Sequence, residues 1–423
     1  MSRVLLVVVV AVCAARLAAA QPSAPEPNAG SDVIQPIEPE DGSGSGSAGP
    51  GEGSAGSAGS GSARGSAADP GRAPSSGKSA PAPTTAATTL DEVTVDSSRL
   101  RFGILVFGDV SALLRAPAKP HTNFSIGAIG LRVNANLGDH VDALAEIAFE
   151  SIVDVEQLAL AYRTPRWILQ VGRMHSEIGY WNTAYHHGTW LQPLVKRPHA
   201  IRFEDDGGLV PVHWIGLHLT HRIPVRDGEV ALIAGLGNGR GEIVDDILSD
   251  GDVNEAKGAL LKVAYRRHGA YRLDVGASAM IDRIPSATME VRPARPGKSI
   301  DELMANVYAF YRGDTFSLHT EGFLFLHRAD GRRVSTSMFA VGGYRVTEIL
   351  TVLGGVDLVF VDEKDPFFVP DPMTAGYEDV KQLLLGARYE LGTWSAVKLE
   401  GHADLHSNAD TQYTLTANWS FGI

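Results

Sequence analysis

The feature that most constrains this chain is a period-two alternation of apolar and polar residues. It recurs from about Arg99 to Ile423, with ionised groups in the middle of the polar rows. Alternation at that period makes strands with two unlike faces. In the last segment Tyr413, Leu415, Ala417, Trp419 and Phe421 take one face, and Gln412, Thr414, Thr416, Asn418 and Ser420 take the other. A soluble sandwich could alternate in this way, so one strand decides nothing. Elsewhere, however, the polar face is charged. Val141, Ala143, Ala145, Ile147 and Phe149 oppose Asp142, Glu146 and Glu150, and Val397, Leu399 and Ala403 oppose Lys398, Glu400, His402 and Asp404. Mid-strand charges tolerate a water-filled lumen far better than a dry core, while the apolar face suits lipid. In lipid only a closed sheet satisfies all of its backbone groups. The expectation is an all-β fold, a transmembrane antiparallel up-and-down β-barrel.

Segments of this kind centre on 101–114, 122–136, 140–150, 154–163, 165–173, 211–222, 227–236, 256–267, 269–282, 302–313, 314–327, 334–345, 347–362, 378–391, 392–405 and 410–423. They make about sixteen strands, within a range of fourteen to eighteen, and many reach the ten or so residues that cross a bilayer at a tilt. The connections give an independent test. With both termini on one side, that side carries Gly138-Asp139, Thr164-Pro165, Arg226-Asp227-Gly228, His268-Gly269, Gly313-Asp314, Val346-Thr347 and Gly392-Thr393, all short. The four longest connections, 174–210, 238–255, 283–299 and 363–377, all fall on the other side. Outer-membrane barrels sort their loops in this manner and a soluble sandwich has no reason to.

Ahead of the barrel, assigned to 97–423, two further segments are expected. Residues 1–20 read as a cleaved signal peptide, with Arg3 at its positive end, an apolar core from Leu5 to Val12 and small residues at Ala18-Ala19-Ala20. Residues 21–96 are rich in Gly, Ser, Ala and Pro and bury too little apolar surface to offset their chain entropy. They are expected to be a disordered linker with a span on the order of 50 Å.

Several function classes are excluded. The net charge of −12 has the wrong sign for general nucleic-acid binding. Cys13, the only cysteine, lies in the presumed leader, which removes thiol catalysis, disulfides and Cys-ligated zinc from the mature chain. After the first twenty positions no run of 18 or more apolar residues occurs, which excludes a helical bundle in a membrane.

The segment Gln157-Leu158-Ala159-Leu160-Ala161-Tyr162-Arg163, followed by Trp167-Ile168-Leu169-Gln170-Val171-Gly172-Arg173, resembles a hairpin of the large bacterial porins, especially the phosphate-selective porin-like superfamily. The C-terminal strand resembles their assembly signal, although it ends in Ile423 with Phe421 two residues earlier. The resemblance implies residence in the bacterial outer membrane, contact with its lipid and, by analogy, a homotrimer. It also implies that the longest loop, 174–210, folds into the lumen as a constriction. Trp181, His186, His187, Glu204, Asp205 and Asp206 are its candidate residues. The alternative is that its aromatics merely pack the loop on the wall.

Phosphate selection would need a cluster of Lys and Arg in the lumen. By strand phase Arg132, Arg163, Lys262, Arg266, Arg312, Arg388 and Lys398 face inward, but so do Asp142, Glu146, Glu150, Glu321, Asp357, Glu390, Glu400 and Asp404. The signs balance, so phosphate specificity is not carried over. Of these, Arg132, Asp142, Glu146, Arg163, Lys262, Glu321, Arg388, Lys398 and Glu400 are the candidate pore-lining residues. No metal or other cofactor is expected. His175, His186, His187 and His199 share the long loop without a recognised ligand spacing. Asp250, Asp252 and Asn254 imitate the opening of a calcium loop, but Glu255 and Leu261 stand where its Gly and Glu belong.

The expectation is a non-enzymatic, porin-like channel for small hydrophilic solutes or ions. The alternatives are a structural or surface-binding barrel with a plugged lumen and, less favoured, an outer-membrane hydrolase using His186 or His187 with Asp205 or Asp206.

Overall fold

The computed structural model describes residues 95–97, 100–116, 121–127, 129–149, 153–185, 190–202, 208–240, 256–267, 269–284, 299–329, 331–365, 367, 379–405 and 411–422. The segment expected as a leader, most of that expected as a linker and the calcium-like segment at 250–255 lie outside these residues. The strands are β1 (Val95–Ser97), β2 (Leu100–Ala116), β3 (His121–Ile126), β4 (Ile129–Asn136), β5 (Val141–Phe149), β6 (Val153–Arg163), β7 (Trp167–His175), β8 (His213–Val225) and β9 (Gly228–Gly237). They continue as β10 (Gly258–Arg267), β11 (Arg272–Ile284), β12 (Ile300–Arg312), β13 (Phe316–Arg328), β14 (Arg332–Arg345), β15 (Leu350–Phe360), β16 (Val380–Gly392), β17 (Ser395–Leu405) and β18 (Gln412–Gly422). The described helical structure is a single turn, α1 (Trp181–Ala184), and a 3-10 turn at His199–Ile201.

All pairings among the described strands are antiparallel, and apart from β2 with β4 and β18 with β2 each joins successive strands. Following hydrogen-bonded neighbours from β2 therefore leads back to β2. Among the described residues the sheet has eighteen strands. The segment expected as one strand over 122–136 is split. Its halves β3 and β4 occupy one position, against Val110–Arg115 and Arg101–Phe107 of β2 respectively. The interruption falls at Gly127, a residue that weakens a strand interior. The short β1 is an addition, pairing Val95 with Phe102, so strand pairing begins two residues ahead of the expected boundary at 97. Without β1, and with β3 and β4 counted as one position, the sheet has the sixteen positions read from the sequence.

The tight connections are seeded by short side-chain oxygens. Asn136 Oδ1 accepts from Gly138 N at 3.1 Å, Thr164 Oγ1 from Trp167 N at 3.0 Å and Thr347 Oγ1 from Leu350 N at 3.1 Å. Asn and Thr in these places mimic a backbone turn and fix the register of the hairpin. At this end the gaps between strands are 137–140, 164–166, 226–227, 268–271, 313–315, 346–349 and 393–394. The opposite end carries 176–212, 238–257, 285–299 and 361–379, so the expected sorting of loops holds.

The two faces of the sheet are inverted relative to a water-soluble protein. Outward positions are apolar and exposed: Leu158, Leu160, Val171, Leu261, Val307, Leu385 and Leu399 lie between 49 and 67% exposed. Inward positions are polar and buried, among them Gln157, Lys262, Asn306, Glu321, Asp357, Lys398 and Thr416. Exposed aromatics gather toward the strand ends. Trp167, Tyr271, Phe316, Tyr344, Tyr389, Trp394 and Trp419 stand near the tight-turn end, and Phe149, Phe360 and Tyr413 near the long-loop end. Part of the inner face is apolar, where Leu260, Met304, Phe325, Phe339 and Leu384 cluster with Ile178, Trp181 and Leu194 of the long loop.

Candidate functional site

The connection between β7 and β8 runs over the inner face, held there by wall side chains. The neck begins beside the wall, where Ser176 N donates to Val212 O at 2.8 Å. Beyond it Lys262 Nζ of β10 donates to Glu177 Oε2 at 2.7 Å and Gly179 O at 2.8 Å. Glu321 of β13 then receives the next two backbone donors, Tyr180 N at 3.0 Å and Trp181 N at 2.8 Å. Asn306 Nδ2 and His319 Nε2 complete the shell of this carboxylate at 3.3 and 2.9 Å. A buried charge is tolerable only when its lone pairs are taken up, and here four donors do so.

The second half of the loop is held by the strands that follow. Arg388 Nη1 of β16 donates to the carbonyls of Trp190 and Gln192 at 2.7 and 2.9 Å, while its Nε pairs with Glu390 at 2.6 Å. Lys398 Nζ of β17 donates to Leu194 O at 3.1 Å, and Glu400 accepts from Val195 N at 2.8 Å and Lys196 N at 3.1 Å. On β15, Asp357 Oδ2 accepts from His199 N at 2.7 Å and meets His199 Nδ1 at 2.8 Å. Arg240, from the β9–β10 connection, bonds Leu209 O and pairs with Glu302 at 2.8 Å. The loop therefore spans from β7 and β8 across to β13 and β15–β17.

The nine candidate wall residues are all described and fall into two groups. Lys262, Glu321, Arg388, Lys398 and Glu400 grip the loop. Arg132, Asp142, Glu146 and Arg163 stand on β4–β6, where Arg132 pairs with Glu146 at 3.2 Å and Arg163 pairs with Asp142. A cavity of about 450 Å³ is lined by Arg132, Asp142 and Arg163 of this second group together with Asn134, Gln157, Gln170 and Thr183. Trp181 is fully buried, stacked on His319 at 5.3 Å and edge-on to Phe339 at 5.6 Å. Tyr180 stacks on Phe310 at 5.0 Å. These aromatics pack the loop on the wall. His186, His187, Glu204, Asp205 and Asp206 lie outside the described residues.

Burial dominates the electrostatics of the loop. It pushes the phenol of Tyr180 well above its ordinary value, and raises that of Tyr185. Burial also disfavours the charged carboxylate of Glu177, but Lys262, His218 and Arg266 outweigh it and hold the group below its ordinary range. The imidazole of His199 is lowered, first by burial and then by Arg202, against the opposing pull of Asp357.

Of the four histidines read in the long loop, His199 is engaged by Asp357 and Arg202 and His175 stands at the end of β7 beside His213, while His186 and His187 lie outside the described residues. His319, Asn306, Glu302 and His327, which carry much of the buried network, were not singled out. They share the inward phase of Glu321 on β12 and β13, and that phase was the available signal. Arg240 comes from a connection and has no such signal.

No protein-family model matches the chain, and no curated protein does. Among solved structures it is similar to an anion-selective porin from Comamonas acidovorans, with TM-score 0.54 and 12% identity over 77% of this chain and 100% of that one. It is also similar to the outer membrane channel DcaP of Acinetobacter baumannii, with TM-score 0.51 and 11% identity over 77% of this chain and 99% of that one. A third likeness is to OmpT, an outer membrane protein of Vibrio cholerae, with TM-score 0.54 and 12% identity over 78% of this chain and 100% of that one. At such identities the likeness is one of fold: this chain has the architecture of the outer-membrane porin β-barrels.

Proposed function

We propose that the chain is a porin-like channel of the bacterial outer membrane, passing small hydrophilic solutes or ions, with segment 176–212 as the element that narrows it. The observation that carries this reading is the asymmetric filling of the enclosed side. The loop is gripped by β10, β13 and β15–β17, while the opposite wall keeps a polar cavity of about 450 Å³ beside the pairs Arg132–Glu146 and Arg163–Asp142. The outer face supports the membrane setting. A strand of 11 residues such as β15 rises about 36 Å, or roughly 28 Å when tilted by about 40°, close to the hydrocarbon thickness. Leucine and valine in mid-strand with aromatics toward both ends match that depth.

Arginine and carboxylate stand together along the cavity, so weak ion selectivity is expected. Reconstitution in planar bilayers tests the proposal. Discrete conductance steps support it, and their absence from a sample shown to be folded sinks it in favour of a barrel plugged by its loop. The apolar cluster beneath Trp181 and Leu194 is the observation that favours this second reading. A trimer form of the Vibrio cholerae OmpT has been solved. A homotrimer is accordingly proposed here, to be checked by light scattering in detergent.

A further inference from the structure

Where the long loop leaves and rejoins the wall, three side chains of metal-binding type converge. His175 is the last residue of β7 and His213 the first of β8, and they are direct partners across the ladder, with ring centroids 6.1 Å apart. One strand away, the β5–β6 register shifts beside Glu146 and Gln157. This brings Glu156 to the pair, with its Oε2 at 2.7 Å from His213 Nε2. One ligand atom from each of Glu156, His175 and His213 lies within 4.8 Å of the other two. All three are withdrawn from solvent: His175 is 7% exposed, and the side chains of His213 and Glu156 are 6 and 13% exposed.

We propose that Glu156, His175 and His213 form a binding site for a divalent transition-metal ion of the zinc type. Zinc takes imidazole nitrogen at about 2.0–2.1 Å and carboxylate oxygen at about 2.0–2.2 Å, so its ligand atoms stand roughly 3.3–3.6 Å apart. The three atoms here lie within 4.8 Å of one another, with the Glu156–His213 pair at 2.7 Å, so an ion would have to part that pair slightly and draw in His175, by changes of side-chain torsion. Two nitrogens and one oxygen select zinc, nickel or copper over magnesium and calcium, which prefer oxygen alone. His213 binds as the neutral ring with its proton on Nδ1, so the contact between Nε2 and Glu156 is exchanged for two bonds to the ion. Three protein ligands leave a fourth position for water. The guanidinium of Arg173, which would repel a cation, is drawn toward Asp154 at 3.7 Å.

The position gives the site its purpose. His175 and His213 are the two feet of segment 176–212, next to the Ser176–Val212 hydrogen bond, and Glu156 belongs to the neighbouring strand. An ion there fastens β6, β7 and β8 together and fixes the angle at which the loop enters. The site needs only the geometry of three strands, so it stands whether or not the barrel conducts.

Equilibrium dialysis of the folded chain in detergent against micromolar zinc, after stripping with a chelator, tests this directly. One ion per chain is expected, with magnesium and calcium in excess failing to displace it. X-ray absorption of the bound zinc should show two imidazoles in its first coordination sphere. His175→Ala and His213→Ala should each weaken binding about 100-fold, whereas His221→Ala and the double variant His186→Ala/His187→Ala should leave it unchanged. Heat-modifiable migration on a gel confirms that each variant is folded. Absence of stoichiometric binding at micromolar zinc, or binding that survives loss of both His175 and His213, overturns the site.

Discussion

Replacing Glu321 by Gln isolates the anchor that holds the first turn of the loop. The carboxylate presents one oxygen to Trp181 N at 2.8 Å and the other to Tyr180 N at 3.0 Å. A glutamine amide has a single oxygen, so in either orientation one of those N–H groups faces an NH2 group. A hydrogen bond to a charged group contributes about 1.5–3 kcal/mol, and a buried N–H left unsatisfied costs about 1–3 kcal/mol. The lower desolvation cost of the neutral amide offsets part of this. A net loss of about 2 kcal/mol is expected, which raises the open population of this segment roughly 30-fold. Glu400 and Asp357 still hold the second half, so the opening is local. Ile178 is fully buried beside the anchor. With Ile178→Cys as the only thiol, in a Cys13→Ser background, the rate of maleimide labelling reports that population. Labelling about 30-fold faster in the Glu321→Gln variant, with unaltered circular dichroism, is the expected result. A rate within twofold of the parent would refute the assignment of Glu321 as the anchor.

Gly179 has φ +78°, and a Cβ there would run into Glu321 Oε2, so Gly179→Ala should loosen the same segment by about 1–3 kcal/mol through backbone strain and the displaced anchor. Thiol labelling as above is the check, and an unaltered rate would count against the geometry. Acid should release the loop in two stages. His199, which faces Asp357, Arg202 and Asp404, has a lowered pKa, so its contribution is complete above the ordinary value of about 6.5 and is lost as pH falls below it. The depressed carboxyl of Glu177 acts lower, with a contribution complete above about 4.5 and lost as pH falls toward its folded value. Acrylamide quenching of tryptophan, referenced to Trp181→Phe/Trp190→Phe, should rise as pH drops from 7 through these windows. A flat profile would remove both groups from the restraint. Should the barrel conduct, Asp142→Asn/Glu146→Gln leaves Arg132 and Arg163 without their carboxylates along the cavity and should move the reversal potential toward anion preference.

Strand number, phase and loop sorting were legible in the residues because each is a local property. Period two assigns a face to every side chain within a few residues, and charges such as Lys398 and Glu400 in mid-strand say which face is wet. Turn chemistry at Asn136, Thr164 and Thr347 is likewise local. The resemblance to porins added the expectation that segment 174–210 folds inward.

Tertiary structure alone decided what the inward charges do. Their balance of sign was plain in the sequence, yet Lys262, Glu321, Arg388, Lys398 and Glu400 bind the loop, while Arg132, Asp142, Glu146 and Arg163 pair along the cavity. That division depends on contacts between residues separated by 83 positions in Lys262–Gly179 and 205 in Glu400–Val195, which no period records. The trio of Glu156, His175 and His213 was hidden for the same reason. Two of its members meet only because β7 and β8 close the foot of a long loop, and the third arrives through a shift in strand register.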